Sequence, residues 1–292
     1  KLRKELEGEL RKNILPFWMT YAPDRKHGGF AGHISHRNRV DERANKGIVM
    51  HARILWTFAA AYRRYREDAF LEMAHRAYRY IMDHFMDREF GGVFWELDYL
   101  GKPVTTRKQV YAIVFTIYAL TEYRHAFGEK EALESAVRLF GEIETHALDA
   151  ERNGYLEALS RQWEPVDDVR LSEKDANERK TMNTHLHILE AYTSLFRIWK
   201  DPRLEQALGN IISLFLEKFI EPSTWHLNLF FDDHWNLRSN FISFGHDIEC
   251  SWLLHEAAGA LGKRDLVEKT ADIAVKMARA NLRGLGHDHG LI

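Results

Sequence analysis

The chain has a single cysteine, Cys250, among 292 residues, which excludes an intramolecular disulfide framework and any multi-cysteine zinc or iron–sulfur site. Only six prolines occur, so long helices can run uninterrupted, each proline being the loss of a helical hydrogen bond. Positive charge is not in excess. Lys and Arg number 41 against 43 Asp and Glu, a net charge of -2, and neither nucleic acid nor an anionic membrane is an expected partner. The most apolar stretch, Ile54 to Tyr62, is interrupted by Thr57 and falls well short of the ~20 residues of a bilayer span. No Gly-x-Gly-x-x-Gly, Walker A or Gly-x-Ser-x-Gly pattern is present, which removes the usual marks of dinucleotide, nucleoside-triphosphate and α/β-hydrolase chemistry. Lys1 opens a charged helical pattern with no apolar signal region, and with so little cysteine a cytoplasmic monomer is expected.

Aromatic residues (Phe 17, Tyr 11, Trp 8) and 16 histidines are what the chain has in quantity, suited to a large core or to a surface on which sugars stack. Hydrophobic residues at 45% and charged residues at 29% exclude a disordered chain. Glycine–aromatic punctuation recurs at Gly28-Gly29-Phe30, Gly91-Gly92-Val93-Phe94-Trp95 and Asn153-Gly154-Tyr155, and more loosely at Trp225-His226-Leu227 and from Gly286 to Gly290. Each reads as a short hairpin. Between these marks stand amphipathic segments with a charged face, at Lys1–Phe17, Phe70–Phe85, Glu131–Leu148, Pro202–Phe219 and Arg264–Leu282, the pattern of outer helices. Alternating with them are segments apolar on most faces, Gly47–Tyr65, Gln109–Phe127, Asn183–Trp199 and His246–Leu261, the pattern of inner helices. The inner ones begin near 47, 110, 184 and 246, separated by 63, 74 and 62 residues. A repeat of this kind predicts an all-α toroid of helical hairpins. It forms one domain over residues 1–292 without a Pro- or Ser-rich linker, and against a ring of six pairs it is expected to lack its last helices.

In such a toroid the N-terminal ends of the inner helices share one face, and unusual polar residues gather there: His51 and Arg53, then Gln109 and Tyr111, then Asn183, His185 and His187, then His246, Asp247 and Glu249. Asn183 and His187 are four apart and stack on one helical face. His246 and Glu249 are three apart, which predicts a carboxylate beside the imidazole that raises its basicity, and Trp252 follows three residues later as a floor. Asp175 lies in a charged loop that leads into the third inner helix. His185-x-His187 and His287-Asp288-His289 carry metal-ligand residue types, yet side chains two apart on a helix point to different sides and no third ligand stands at a recognised spacing. No metal site and no cofactor are expected, and Cys250 reads as a small core residue.

Gly28-Gly29-Phe30, His51-Ala-Arg-Ile-Leu-Trp56, Lys108-Gln-Val-Tyr111, Leu171-Ser-Glu-Lys-Asp175, Thr181-Met-Asn-Thr-His-Leu-His187 and Gly245-His-Asp-Ile-Glu249 resemble, in order and spacing, the N-acylglucosamine 2-epimerase superfamily and within it the cellobiose 2-epimerase branch. The resemblance runs from Lys1 to about Leu285. It implies an (α/α)6 barrel, in agreement with the repeat, and a cofactor-free 2-epimerase acting on the reducing-end glucose of a small disaccharide. It further implies that His246 is one of two catalytic histidines, supported by the carboxylates of Glu249 and Asp175. Arg53, Tyr111, Asn183 and His187 would contact the sugar, with Trp252 as an aromatic wall. The family's second catalytic histidine and its sugar-stacking tryptophans fall beyond Ile292, so the chain to Ile292 is expected to epimerise poorly by itself. Alternative readings are a monosaccharide 2-epimerase or mannose-type aldose–ketose isomerase on the same barrel, and a non-catalytic carbohydrate-binding toroid. A glycoside hydrolase would need two carboxylates flanking the bond, and the helix heads are richer in histidine than in paired acids.

Overall fold

The apolar rows of the sequence fold as helices in the computed structural model, which describes residues 1–286 and Gly290. The His287-Asp288-His289 triplet lies outside the described residues. Among the described residues there are five outer helices, α1 (2–21), α3 (68–85), α5 (Lys130–His146), α7 (202–219) and α9 (Arg264–Asn281), and four inner ones, α2 (Ile48–Tyr65), α4 (Val110–Phe127), α6 (Met182–Ile198) and α8 (Phe244–Leu261). Every predicted segment is present, with ends displaced by a few residues because the caps and not the apolar pattern set them. Thr181, for example, caps α6 by accepting the Thr184 N–H, so that the helix begins at Met182, one position ahead of the expected start. Each inner helix packs on the outer helix that follows it, and successive inner helices pack on one another. Among the described residues no helix is long and apolar enough to cross a membrane.

Three outer helices carry a wide π turn, at Leu10–Ile14 in α1, Ile81–Phe85 in α3 and Phe215–Phe219 in α7. In the last two the extra residue re-aims the final side chain inward. Phe85 and Phe219 are completely buried, and their rings lie 5.0 Å from those of His51 and His185 respectively.

Short strands stitch neighbouring units. Those entering α2, α4 and α6 are β1 (Lys46–Gly47), β3 (Lys108–Gln109) and β5 (Lys180–Thr181), and each pairs antiparallel with a strand of the next hairpin: β2 (Glu96–Leu97), β4 (Ala158–Leu159) and β6 (Phe230–Phe231). The first lysine of each entering strand is buried and clasps its own unit's hairpin. Lys46 Nζ is 2.8 Å from Asp24 and from the Gly28 carbonyl, Lys108 Nζ is 2.7 Å from Asp87 and 2.5 Å from Gly91 O, and Lys180 Nζ is 2.8 Å from Asp149 and from Asn153 O. Pairing the ammonium with a carboxylate and carbonyls offsets the desolvation that burial imposes. Ile242 and Glu221 hold these positions in the fourth unit, and Ile242 is exposed. Close approach also requires glycine: at Gly29, with φ of 60°, an added Cβ would sit 2.7 Å from the Tyr80 ring.

Candidate active site

Helical phase divides the polar residues at the inner-helix heads into two groups. The fourth residue of each inner helix faces outward to its hairpin. His51 Nδ1 donates to Gly47 O at 2.8 Å while its Nε2 accepts the Phe30 N–H at 3.1 Å, and His185 repeats this with Thr181 O at 2.7 Å and the Tyr155 N–H at 2.9 Å. Asp247 plays the equivalent part in α8, accepting the Leu227 N–H at 2.8 Å and meeting His226 Nδ1 at 2.6 Å. Both histidines are fully buried, and burial pushes them down to about 3 for His51 and about 4 for His185. Contrary to the expectation that all the heads converge on one cleft, these three are fasteners of the fold. Gln109 is likewise turned aside, its Nε2 donating to Arg170 O at 3.0 Å.

The sixth residue of each inner helix lies about 200° further round and faces the toroid axis. Arg53, Phe115, His187 and Glu249 therefore stand at one depth. The Arg53 guanidinium covers the Phe115 ring at 4.4 Å, and that ring is 4.6 Å from His187, a cation–π contact followed by an aromatic one. Tyr111, on the turn above, receives a hydrogen bond from Arg53 at 3.3 Å and meets His187 edge-on at 5.1 Å. Burial raises the Tyr111 hydroxyl above its ordinary value although Arg53 opposes the shift, so it remains a proton donor at neutral pH. Trp56, Tyr118, Glu190 and Trp252 form the next tier, nine residues into each helix, and Trp252 is 52% exposed there.

Asp175, Asn183 and His246 line one cavity of about 210 Å³ beside this cluster, together with Glu157, Ser243 and Phe241. Asn183 Oδ1 is a buried acceptor with no hydrogen-bond partner, the kind of group that awaits a ligand hydroxyl. Asp175 accepts the N–H and the hydroxyl of Ser172, both at 2.9 Å, and so closes its own loop. His246 corrects the sequence reading in one respect. Its Nδ1 meets Ser243 Oγ at 2.7 Å, and Glu249 reaches it through charge alone. Glu249 does favour the imidazolium, as expected, but burial is the larger influence and the net shift is downward, which leaves the ring neutral and able to take a proton. The hydrogen-bonded imidazole–carboxylate pair is instead His187 with Glu190, Nδ1 to Oε2 at 3.0 Å.

Four participants were missed from sequence: Phe115, Glu157, Glu190 and Ser243. Aligning the inner helices by their first residues would have exposed Phe115 and Glu190, since they share phase with Arg53 and Trp56. Ser243 is the residue preceding α8, an N-cap position. Glu157 carried no signal. It is buried just ahead of β4, its two oxygens accept the Thr181 and Thr184 hydroxyls at 2.6 Å, and desolvation pushes it up to about 7.

A family model described as N-acylglucosamine 2-epimerase matches residues 28–285. The chain is 53% identical over 291 residues to a cellobiose 2-epimerase of Bacteroides fragilis, covering 100% of this chain and 74% of that protein. Among solved structures, cellobiose 2-epimerase from Bacillus thermoamylovorans B4167 superposes with a TM-score of 0.94 at 39% identity, over 99% of this chain and 74% of that one. A sugar epimerase from a ruminal bacterium gives 0.94 at 39%, over 98% and 73%. The cleft, the repeat and these likenesses agree: the chain is an epimerase on the (α/α)6-barrel fold and belongs to the N-acylglucosamine 2-epimerase family.

Proposed function

We propose that the chain inverts C2 of the reducing-end glucose of β-1,4-linked disaccharides, turning cellobiose into glucosyl-mannose and lactose into epilactose. The substrate class is taken from the similarity to cellobiose 2-epimerases. The C2 proton of an aldose is weakly acidic, so its removal calls for an open-chain carbonyl polarised by donors and for stabilisation of the enediolate as charge develops. His246 takes the C2 proton, the C–H electron pair moves into the C1–C2 bond, and the carbonyl oxygen becomes the enediolate oxygen. Arg53 and Tyr111 supply donors to the enediolate oxygens, Asn183 and His187 bind sugar hydroxyls, Glu249 and Asp175 support His246 and its cavity, and Trp252 walls the site. A proton then returns to C2 from the opposite face.

The observation that carries this reading is that the His246 imidazole, in a cavity it lines with Asn183 and Asp175, stands close enough to the Arg53–Tyr111–His187 cluster to feel the charge of His187. His246→Asn tests it in deuterated buffer with cellobiose, following C2 by NMR. We expect exchange at C2 to fall at least ~1000-fold, as for loss of a proton-transfer group, with the melting temperature unchanged. Exchange persisting at the parent rate would remove His246 from the mechanism, and a fructose-ended product from the parent protein would mark an aldose–ketose isomerase.

A further inference from the structure

Glu190 occupies a position that does not require a carboxylate for folding. Its counterparts nine residues into the other inner helices are Trp56, Tyr118 and Trp252, aromatic in every case, and Trp56 and Tyr118 pack on each other. In α6 alone among the four, an acid stands one turn below the axis-facing imidazole, His187. Its surroundings hold it in place. Oε2 lies 3.0 Å from His187 Nδ1, the Tyr118 hydroxyl is near enough to feel the charge of the same carboxylate, and the Tyr118 ring is backed by Trp56, stacked at 5.3 Å. His187 is itself gripped from the sides by Phe115 at 4.6 Å and Tyr111 at 5.1 Å. An imidazole so packed can still place its proton on either nitrogen when neutral, and the two tautomers present opposite hydrogen-bonding character to the cleft.

We propose that Glu190 is a positioning residue: by accepting the Nδ1 proton of His187 it fixes the tautomer and the ring orientation, so that Nε2 is the edge offered to the sugar. In the neutral state Nε2 then accepts a hydroxyl proton in a hydrogen bond, and in the protonated state it donates. Both states keep the proton on Nδ1 and directed at Glu190, and the ring does not turn between them. The logic is that of any acid which orients a working imidazole without touching the reacting atoms. The effect on turnover rests on the role of His187 in the function proposed above, whereas the tautomer does not.

The test uses both. Histidine-selective nitrogen-15 labelling of the parent protein, with His187→Gln to assign the resonance, reports which ring nitrogen carries the proton. A protonated Nδ1 is expected, and a bare Nδ1 overturns the proposal whatever the activity. Glu190→Gln keeps an acceptor oxygen in place, and C2 exchange within about tenfold of the parent is expected. Glu190→Leu should lose roughly 10–100-fold in kcat, the scale on which removal of an imidazole's orienting partner acts, with KM changed much less and with the Nδ1 signal lost. Parental kcat in a folded Glu190→Leu protein overturns the positioning role. Should that variant fail to fold, the parent and Glu190→Gln decide the matter: an Nδ1 proton kept in both supports the proposal, and a bare Nδ1 in the parent overturns it. If the parent exchanges no C2 proton at all, the proposed function fails while the tautomer still answers for Glu190.

Discussion

Glu157 is fully enclosed, and desolvation pushes its carboxyl up to about 7, the two threonine hydroxyls opposing that shift and the charge of Asp175 adding to it. The sign of the resulting pH dependence follows from proton binding. Between about 4.5 and 7 the folded chain holds this proton and the unfolded chain has released it, so stability falls as pH rises through that window, by at most about 3 kcal/mol. Glu157→Gln should therefore abolish the acid-side gain that this proton supplies, so that the urea midpoint at pH 5 falls relative to that at pH 7.5. His51 and His185 act in the opposite sense. Their folded values lie at about 3 and 4, so as pH falls below about 6.5 the unfolded chain takes up protons that the folded chain refuses, and stability is lost. With Glu157 neutralised, the Gln variant should show that acid-side loss alone. None of this was legible from residue types: a histidine at the fourth position of a helix and one at the sixth look alike in sequence, and only the 200° between them separates a fastener from a ligand contact.

At the scale of elements, the clasps show what an ion pair contributes when it is enclosed. Lys108 and Asp87 have side chains 0% and 1% exposed, and Arg161 adds a second contact to Asp87 at 2.9 Å. Lys108→Met should cost about 3–5 kcal/mol, the usual penalty for leaving half of a buried pair, read as a fall in urea midpoint. Adding Asp87→Leu should recover a good part of it, because Arg161 is accessible enough to hydrate and keeps Glu89 at 2.9 Å. Helices and their inner or outer placement were readable because apolar periodicity depends on burial, which the toroid imposes on every repeat alike. The clasps were not, since a lysine two residues ahead of an apolar helix and an aspartate four ahead of a turn each read as loop charge. Nor were the π turns: one added residue shifts the apolar phase at Ile81–Phe85 or Phe215–Phe219 by too little to stand out from the outer helix's own pattern.

For the whole molecule, a net charge of -2 and a neutral disaccharide leave no long-range attraction to be screened. The ratio kcat/KM on cellobiose is expected to change less than about twofold between 0.05 and 0.5 M salt, by initial rates, and a steep dependence would point to a charged substrate. Arg53, Tyr111, Asn183, His187, His246 and Glu249 were all identified from the chain's heads and motifs, and the fold brings Arg53, Tyr111 and His187 into one cluster with Asn183 and His246 in the cavity beside it. Which hydrogen bonds join them was not, because contacts between helices about sixty residues apart depend on depth along the axis. The clasps have a consequence in time as well as in strength. They join residues 22, 21 and 31 apart, loops short enough that closing them costs little entropy and demands no distant partner. On a ribosome that releases the N-terminus first, Asp24 can engage Lys46 before α3 has been made, and Asp87 can engage Lys108 before α5. The first three units are thus arranged to be wound on in sequence, each hairpin secured ahead of the helix that will cover it.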